Sequence, residues 1–298
     1  MAHARTAHLQ GSMAALLTPF HADGQMWLEP IPDLLDFQRK AGNVGVVSGG
    51  TNGEATSLSV EERKRLLEAL LKHKQELFVI AGTGATSITD ALELTKHAAQ
   101  VGADAALVLP PFFVKNPTAE GLRNYFLPLL DCSELPLLLY NIPQFTAVPL
   151  PDELIDSLLD HPNLMGMKDS TGDLVHTLHW LERYPQLSIF SGSDLIHSQV
   201  YPKGAMGCIS GSANAFPDLI SAIWKGYKED ATGAKMQEAQ QEILRLAEIY
   251  NRYPRIANNK AILTQKGFPR FHVRPPLVDI SPEASESLIR ELREAKFL

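Results

Sequence analysis

Lys168 closes the short apolar run Leu164-Met165-Gly166-Met167-Lys168, and Asp169-Ser170-Thr171-Gly172-Asp173 follows it. The run reads as a buried strand, the polar segment as a turn that opens a helix. Burial disfavours an ammonium and drives a lysine toward its free amine. A free amine attacks carbonyls, so the chemistry suggested is Schiff-base catalysis. The competing reading is a lysine that snorkels from the strand end to solvent. A second group bears on the choice. Tyr140 lies near the end of the apolar run Leu137–Asn141, and a phenol beside an imine-forming lysine can carry protons to and from the carbinolamine. Its own alternative is an aromatic at the edge of a core with a satisfied hydroxyl.

Positioning these two groups requires strands that end at one place. Eight β-like runs are expected at residues 13–18, 44–48, 77–82, 105–109, 137–141, 164–168, 187–191 and 207–210. Amphipathic helices follow each of them, at 31–41, 60–75, 87–101, 119–130, 151–159, 174–183, 195–201 and 217–228. Ser59 with Glu62 forms a capping-box signature, and Pro151 suits a first helical turn. The strand runs are mostly continuously apolar, as a parallel sheet buried on both faces requires. Eight strand–helix units in a chain of 298 residues predict a (β/α)8 TIM barrel, an α/β fold. Three more helices, at 234–250, 255–265 and 282–295, predict a C-terminal helical extension packed on the barrel. The expected division is a flexible segment 1–12, a barrel 13–229 and the extension 230–298.

In such a barrel the chemistry sits at the C-terminal strand ends. Side-chain alternation places Lys168 on the face of Gly166 and Leu164, toward the barrel interior, and turns Met165 and Met167 toward the helices. The turn Gly49-Gly50-Thr51-Asn52-Gly53-Glu54 after the second strand offers backbone N–H groups and two polar side chains, a nest suited to a carboxylate. A plain strand-to-helix loop is the alternative. Gly82-Thr83-Gly84 lacks the Gly-Lys-Ser/Thr ending of a phosphate loop, which excludes a nucleotide reading.

Composition narrows the remaining classes. The chain is 45% hydrophobic and 20% charged with a net charge of −7, ordinary for a globular protein and contrary to a nucleic-acid surface. Cys132 and Cys208 make no disulfide framework. With no membrane-length apolar stretch and no signal-peptide core, a cytoplasmic protein is expected. His3 and His8 lie in a polar N-terminal segment read as disordered. His176 and His179, three residues apart with no third ligand at matching spacing, read as an exposed helix face and not a metal site. Residues 61–65 read as a solvated charged face. Nothing in the sequence recommends Lys260 for the mouth.

Three motifs occur in order, each at a strand end: Gly50-Thr51-Asn52-Gly53-Glu54, Tyr140-Asn141-Ile142-Pro143 and Gly166-Met167-Lys168-Asp169-Ser170-Thr171-Gly172. Together they resemble the dihydrodipicolinate synthase/N-acetylneuraminate lyase family of pyruvate-dependent class I aldolases, from about Met13 to the last helix. The resemblance implies that Lys168 forms the Schiff base and Tyr140 shuttles protons. It implies that Thr51 and Asn52, beside Gly50, bind the pyruvate carboxylate, and that the backbone of Ile209 borders the pyruvate. It further implies a homotetramer. The lysine imine is itself the electron sink, so no metal or organic cofactor is expected. The expected partners are a small keto acid and an aldehyde, with no nucleic acid and no membrane.

Three positions depart from the synthase pattern. Asn52 stands where a second threonine is usual, and an amide is a poor proton relay. Phe113, in Pro110-Pro111-Phe112-Phe113-Val114, stands where a tyrosine crosses to a neighbouring subunit. Phe145 stands where an arginine grips the second substrate's carboxylate, a bidentate contact that a phenylalanine cannot make. All three leave the pyruvate half intact and alter the other half. The favoured expectation is therefore an aldolase that cleaves a 2-keto-3-deoxy acid, of the sugar-acid or 4-hydroxy-2-oxoglutarate type, to pyruvate and an aldehyde. Gln144, Ser191, Ser193 and Ser212 are candidates to bond substrate hydroxyls. The alternatives are 4-hydroxy-tetrahydrodipicolinate synthase, a dehydratase using the same imine, and a keto-acid-binding barrel without turnover.

Overall fold

The computed structural model describes residues 9–230 and 232–298. Eight parallel strands close into a barrel in chain order: β1 (Gly11–Ala15), β2 (Gly45–Ser48), β3 (Phe78–Gly82), β4 (Ala105–Val108), β5 (Leu137–Asn141), β6 (Leu164–Asp169), β7 (Ser188–Ser191) and β8 (Gly207–Ser210). Around them run α1 (Ile31–Lys40), α2 (Val60–His73), α3 (Ile88–Gln100), α4 (Ala119–Asp131), α5 (Pro143–Thr146), α6 (Asp152–Leu158), α7 (Leu174–Arg183), α8 (His197–Val200) and α9 (Pro217–Glu229). The fold is the (β/α)8 TIM barrel that the sequence predicts, followed by α10 (Ala234–Tyr250), α11 (Arg255–Gln265) and α12 (Pro282–Glu294).

Two apolar shells hold the barrel. Met13, Val47, Ile80, Leu107, Leu138 and Phe190 fill the interior. Val46, Val79, Ala106, Leu139, Met167 and Ile189 pack outward under the helices. Alternation along each strand produces this sorting, because every strand is covered on both faces. A third cluster, including Phe216, Leu246, Tyr250, Ile262 and Leu288, joins the C-terminal helices to the segment after β8.

The structure corrects four local expectations. First, β1 begins at Gly11 and ends at Ala15, so Gly11 and Ser12 are buried strand residues and not part of a flexible segment 1–12. Residues 1–8, with His3 and His8, lie outside the described residues. Past Ala15, Leu16 N still donates to Val47 O (3.1 Å), and on the β8 side Asn214 takes over: its Oδ1 accepts from Leu17 N (2.8 Å) and its Nδ2 donates to Ala15 O (2.7 Å). Second, β6 is irregular. Leu137 pairs with Leu164 but Leu138 pairs with Gly166, which leaves Met165 as the extra residue of a bulge. Met165 consequently joins the interior cluster while Leu164 joins the outer one, the reverse of simple alternation. Third, the helix expected at 195–201 is only the four-residue α8, continued as a 3-10 turn over Tyr201–Lys203. Pro202 lacks the N–H that would continue the α-helical ladder. Fourth, Pro151 is the N-cap of α6 and not its first residue.

Candidate active site

β5 and β6 set the centre of the mouth. Above the bulge, Tyr140 pairs in register with Lys168, so both side chains leave adjacent strands at one height on the interior face. Lys168 Nζ donates to Tyr140 Oη at 3.3 Å and lies 4.3 Å from the ring centroid. Both residues are 4% exposed. Tyr140 Oη also lies 3.4 Å from Thr51 Oγ1, and the Ser170 hydroxyl, which shares the space over Gly192 with the Lys168 stem, helps to lower the Tyr140 pKa. Burial pushes the phenol's pKa up. The Lys168 charge and the bonds from Thr51, Ser170 and Lys168 outweigh burial, and the pKa is lowered from its ordinary value. The lysine stem passes over Gly192, where an added Cβ would lie 1.9 Å from Ser170 Oγ and 3.0 Å from Lys168 Cε. Only glycine leaves room there.

The loop after β2 forms one wall. The amides of Gly53, Glu54 and Ala55 are taken up inside it, donating to Gly50 O, Thr51 O and Gly50 O respectively. Thr18 Oγ1 braces it by donating to Gly53 O at 2.6 Å. The amides of Thr51 and Asn52 have no protein acceptor among the described residues. Two adjacent free N–H groups beside a hydroxyl and a carboxamide suit an anionic oxygen pair. Facing Asn52 is Gly211, where a Cβ would fall 2.7 Å from Asn52 Nδ2. Ile209, on β8, is buried in the barrel interior.

The Dihydrodipicolinate synthetase family model matches residues 8–295. The chain belongs to this family. It is therefore an enzyme of the pyruvate-dependent class I lyase kind. An uncharacterized DapA-like lyase of Chloroflexus aurantiacus is 38% identical over 95% of either chain. A 4-hydroxy-tetrahydrodipicolinate synthase of Neisseria meningitidis is 33% identical over 96% of this chain and 98% of its own. Among solved structures, the prophage protein YagE of Escherichia coli K12, in complex with pyruvate, superposes with a TM-score of 0.92 at 29% identity. That match covers 98% of this chain and 100% of YagE.

Within this member of the dihydrodipicolinate synthetase family, other residues singled out from sequence fall elsewhere. Ser191 is buried and pairs with Asp169 and Cys208 on the outward face. Its hydroxyl bonds Ser193 O and Ser193 N within the turn, so it does not face the mouth. Gln144 Nε2 donates to Ser170 O at 2.6 Å. Ser212 donates to the half-buried Asp194 carboxylate. Phe145 and Phe113 are 70% and 85% exposed.

Two features carried too little sequence signal to be singled out. Ser170 is one; it read as a turn residue. The other is Asp169, directly behind Lys168, whose side chain is fully buried. Its carboxylate accepts from Thr177 Oγ1 (2.6 Å), Thr171 Oγ1 (3.1 Å) and Asn141 Nδ2 (3.2 Å), and His176 Nδ1 lies 3.1 Å away. Burial raises the Asp169 pKa, but His176 and Thr177 outweigh burial and lower it. His176 is accordingly raised, chiefly by its bond to Asp169. It is an anchor of the β6 exit, where an exposed helix face was expected.

Proposed function

We propose that the protein is a class I aldolase that cleaves a 2-keto-3-deoxy acid reversibly to pyruvate and an aldehyde. The observation that carries this reading is the chain of contacts Lys168 Nζ, Tyr140 Oη and Thr51 Oγ1, at 3.3 and 3.4 Å. It ends beside the free amides of Thr51 and Asn52. In this reading those amides hold the keto acid's carboxylate and present its keto carbon to Lys168, a positioning contribution. Lys168 Nζ adds to the carbon to give a carbinolamine. Loss of water, with Tyr140 supplying the proton, gives the iminium. Tyr140 then takes the proton of the substrate's 4-hydroxyl. The C3–C4 bond breaks, its electron pair enters the iminium, and the aldehyde departs from an enamine. Protonation at C3 and hydrolysis release pyruvate and the amine. The pyruvate in the YagE complex supports the keto-acid half.

The aldehyde half favours an uncharged, hydroxylated partner. Phe113 and Phe145 offer no cation for a second carboxylate, while Ser170 offers a hydroxyl beside Lys168. The test is borohydride reduction in the presence of pyruvate, mass mapping of the adduct, and condensation with glyceraldehyde, glyoxylate, N-acetylmannosamine and aspartate semialdehyde. An adduct at Lys168 with turnover of hydroxyaldehydes is expected. An adduct at another residue, or none, would sink the reading. A second reading, 4-hydroxy-tetrahydrodipicolinate synthase, is favoured by the Neisseria relative. Preferential turnover of aspartate semialdehyde would support it.

A further inference from the structure

Lys260 is 2% exposed, on the first turns of α11. Its Nζ donates to Glu54 Oε1 and to His272 O (2.6 Å), and sits 4.6 Å from the Phe20 ring centroid. The Glu54 side chain is fully buried. Its other oxygen, Oε2, accepts from Arg274 N at 2.9 Å. Glu54 ends the β2 loop that carries Thr51 and Asn52, and it stands in the left-handed region with φ 55. A non-glycine residue is held there only when its surroundings determine it. The neighbouring Asn259 reaches the opposite loop. Its Nδ2 donates to Gly211 O (3.1 Å) and its Oδ1 accepts from Tyr250 Oη (2.9 Å). Gly211 is the residue against which Asn52 packs.

Two consecutive residues of α11 thus grip the two loops that meet at Asn52. We infer that Asn259 and Lys260 are positioning residues, which fix the separation of the β2 and β8 loops and so set the affinity of the keto-acid carboxylate site. This inference rests on the proposed role of Thr51 and Asn52. It also gives the C-terminal extension a task. With its amine committed to a carboxylate and a carbonyl, Lys260 is a tether and not a second nucleophile. The chemistry at Lys168, on β6, receives no contact from either residue. Loosening the tether should therefore move pyruvate affinity and leave the chemical step nearly untouched.

The experiment measures borohydride-trapped adduct at Lys168 against pyruvate concentration, with KM and kcat for condensation, in the full-length chain. The variants are Lys260→Met, Asn259→Ser and the double variant Lys260→Met/Glu54→Gln, which removes both charges of the pair. Each folded variant should raise the half-saturating pyruvate concentration about tenfold, within the usual range of coupling between sites. The adduct at saturating pyruvate and kcat should stay near wild type. Double and single Lys260 variants should be alike, because the pair acts as a unit. If Lys260→Met fails to fold as an unpaired buried carboxylate, the other two variants carry the test. An unchanged half-saturation, or equal loss of kcat and affinity, would overturn the inference. So would loss of the fold in all three, since the contacts would then serve the barrel alone. Failure of the wild-type protein to trap pyruvate at Lys168 would instead overturn the functional reading.

Discussion

At the scale of single residues the proposed reaction depends on a hydroxyl held between an amine and a second hydroxyl. Tyr140→Phe keeps the ring against Lys168 and removes only that group. The variant should fold as the wild type does and still form the Lys168 adduct with pyruvate, more slowly. Its kcat for condensation should fall by about 10²–10⁴, the usual worth of a positioned acid–base group. Steady-state kinetics beside adduct mapping decides this, and an unchanged kcat would remove Tyr140 from the mechanism. Lys168 and Tyr140 were singled out in the sequence because each ends an apolar run inside a family-like motif, whereas residue type alone also allowed a snorkelling lysine and a core-edge aromatic. Ser170 and Asp169 were not, because serine and aspartate after a strand are what any turn would carry. Ser191 was misplaced for a different reason. In a strand, a shift of one residue exchanges the two faces, and nothing in its neighbours' types fixed its register.

At the scale of elements the bulge in β6 is the device that brings Lys168 level with Tyr140. On the other side of the strand the backbone runs close to β7, where a Cβ on Gly166 would lie 1.9 Å from Ser188 O. No rotamer relieves such a contact, so the strand itself must move. Gly166→Ala should lower the urea midpoint by the equivalent of more than about 3 kcal/mol, since strained backbone belongs to the severe class of substitutions. It should also depress pyruvate trapping at Lys168. A midpoint near wild type would show that the strand yields easily. At the β1–β8 seam, Asn214 is 1% exposed and bonds Leu17 N, Ala15 O and Gly211 O. Asn214→Ala leaves Leu17 N and Ala15 O without their partner, while Gly211 O keeps its bond from Asn259, and should cost about 1–3 kcal/mol in the same measurement. The strands themselves were legible because parallel strands covered on both faces are continuous apolar runs. The bulge was not, because methionine serves equally well on either face. The seam was hidden because a contact spanning 197 residues leaves no local trace.

At the scale of the whole molecule, Arg274 fastens the C-terminal region to the start of the chain. Its backbone N–H reaches Glu54, and its guanidinium donates to Gly24 O (2.7 Å), Ser57 O (2.8 Å) and the Glu62 carboxylate, with Nη1 to Oε2 at 2.9 Å. Glu62 also closes the capping box of α2 with Ser59. The hydrogen bond from Arg274 comes first among the causes that hold the Glu62 carboxyl at about 2, against an ordinary 4.5, and burial opposes it. A depressed carboxyl stabilises the fold above its unfolded pKa and loses that contribution as pH falls toward the folded one. The window therefore runs from about 4.5 down to about 2. The shift sets an upper bound of about 3 kcal/mol on the contribution. Urea unfolding at a series of pH values should show wild type losing more stability than Glu62→Gln as pH drops through that window. At neutral pH the variant should be the less stable of the two, because the amide keeps the cap but forfeits the charge. Parallel stability curves for the two proteins would mean that the charge of the Arg274–Glu62 pair contributes nothing, and that the other bonds of Arg274 and the apolar contacts of α10 to α12 hold the extension in place.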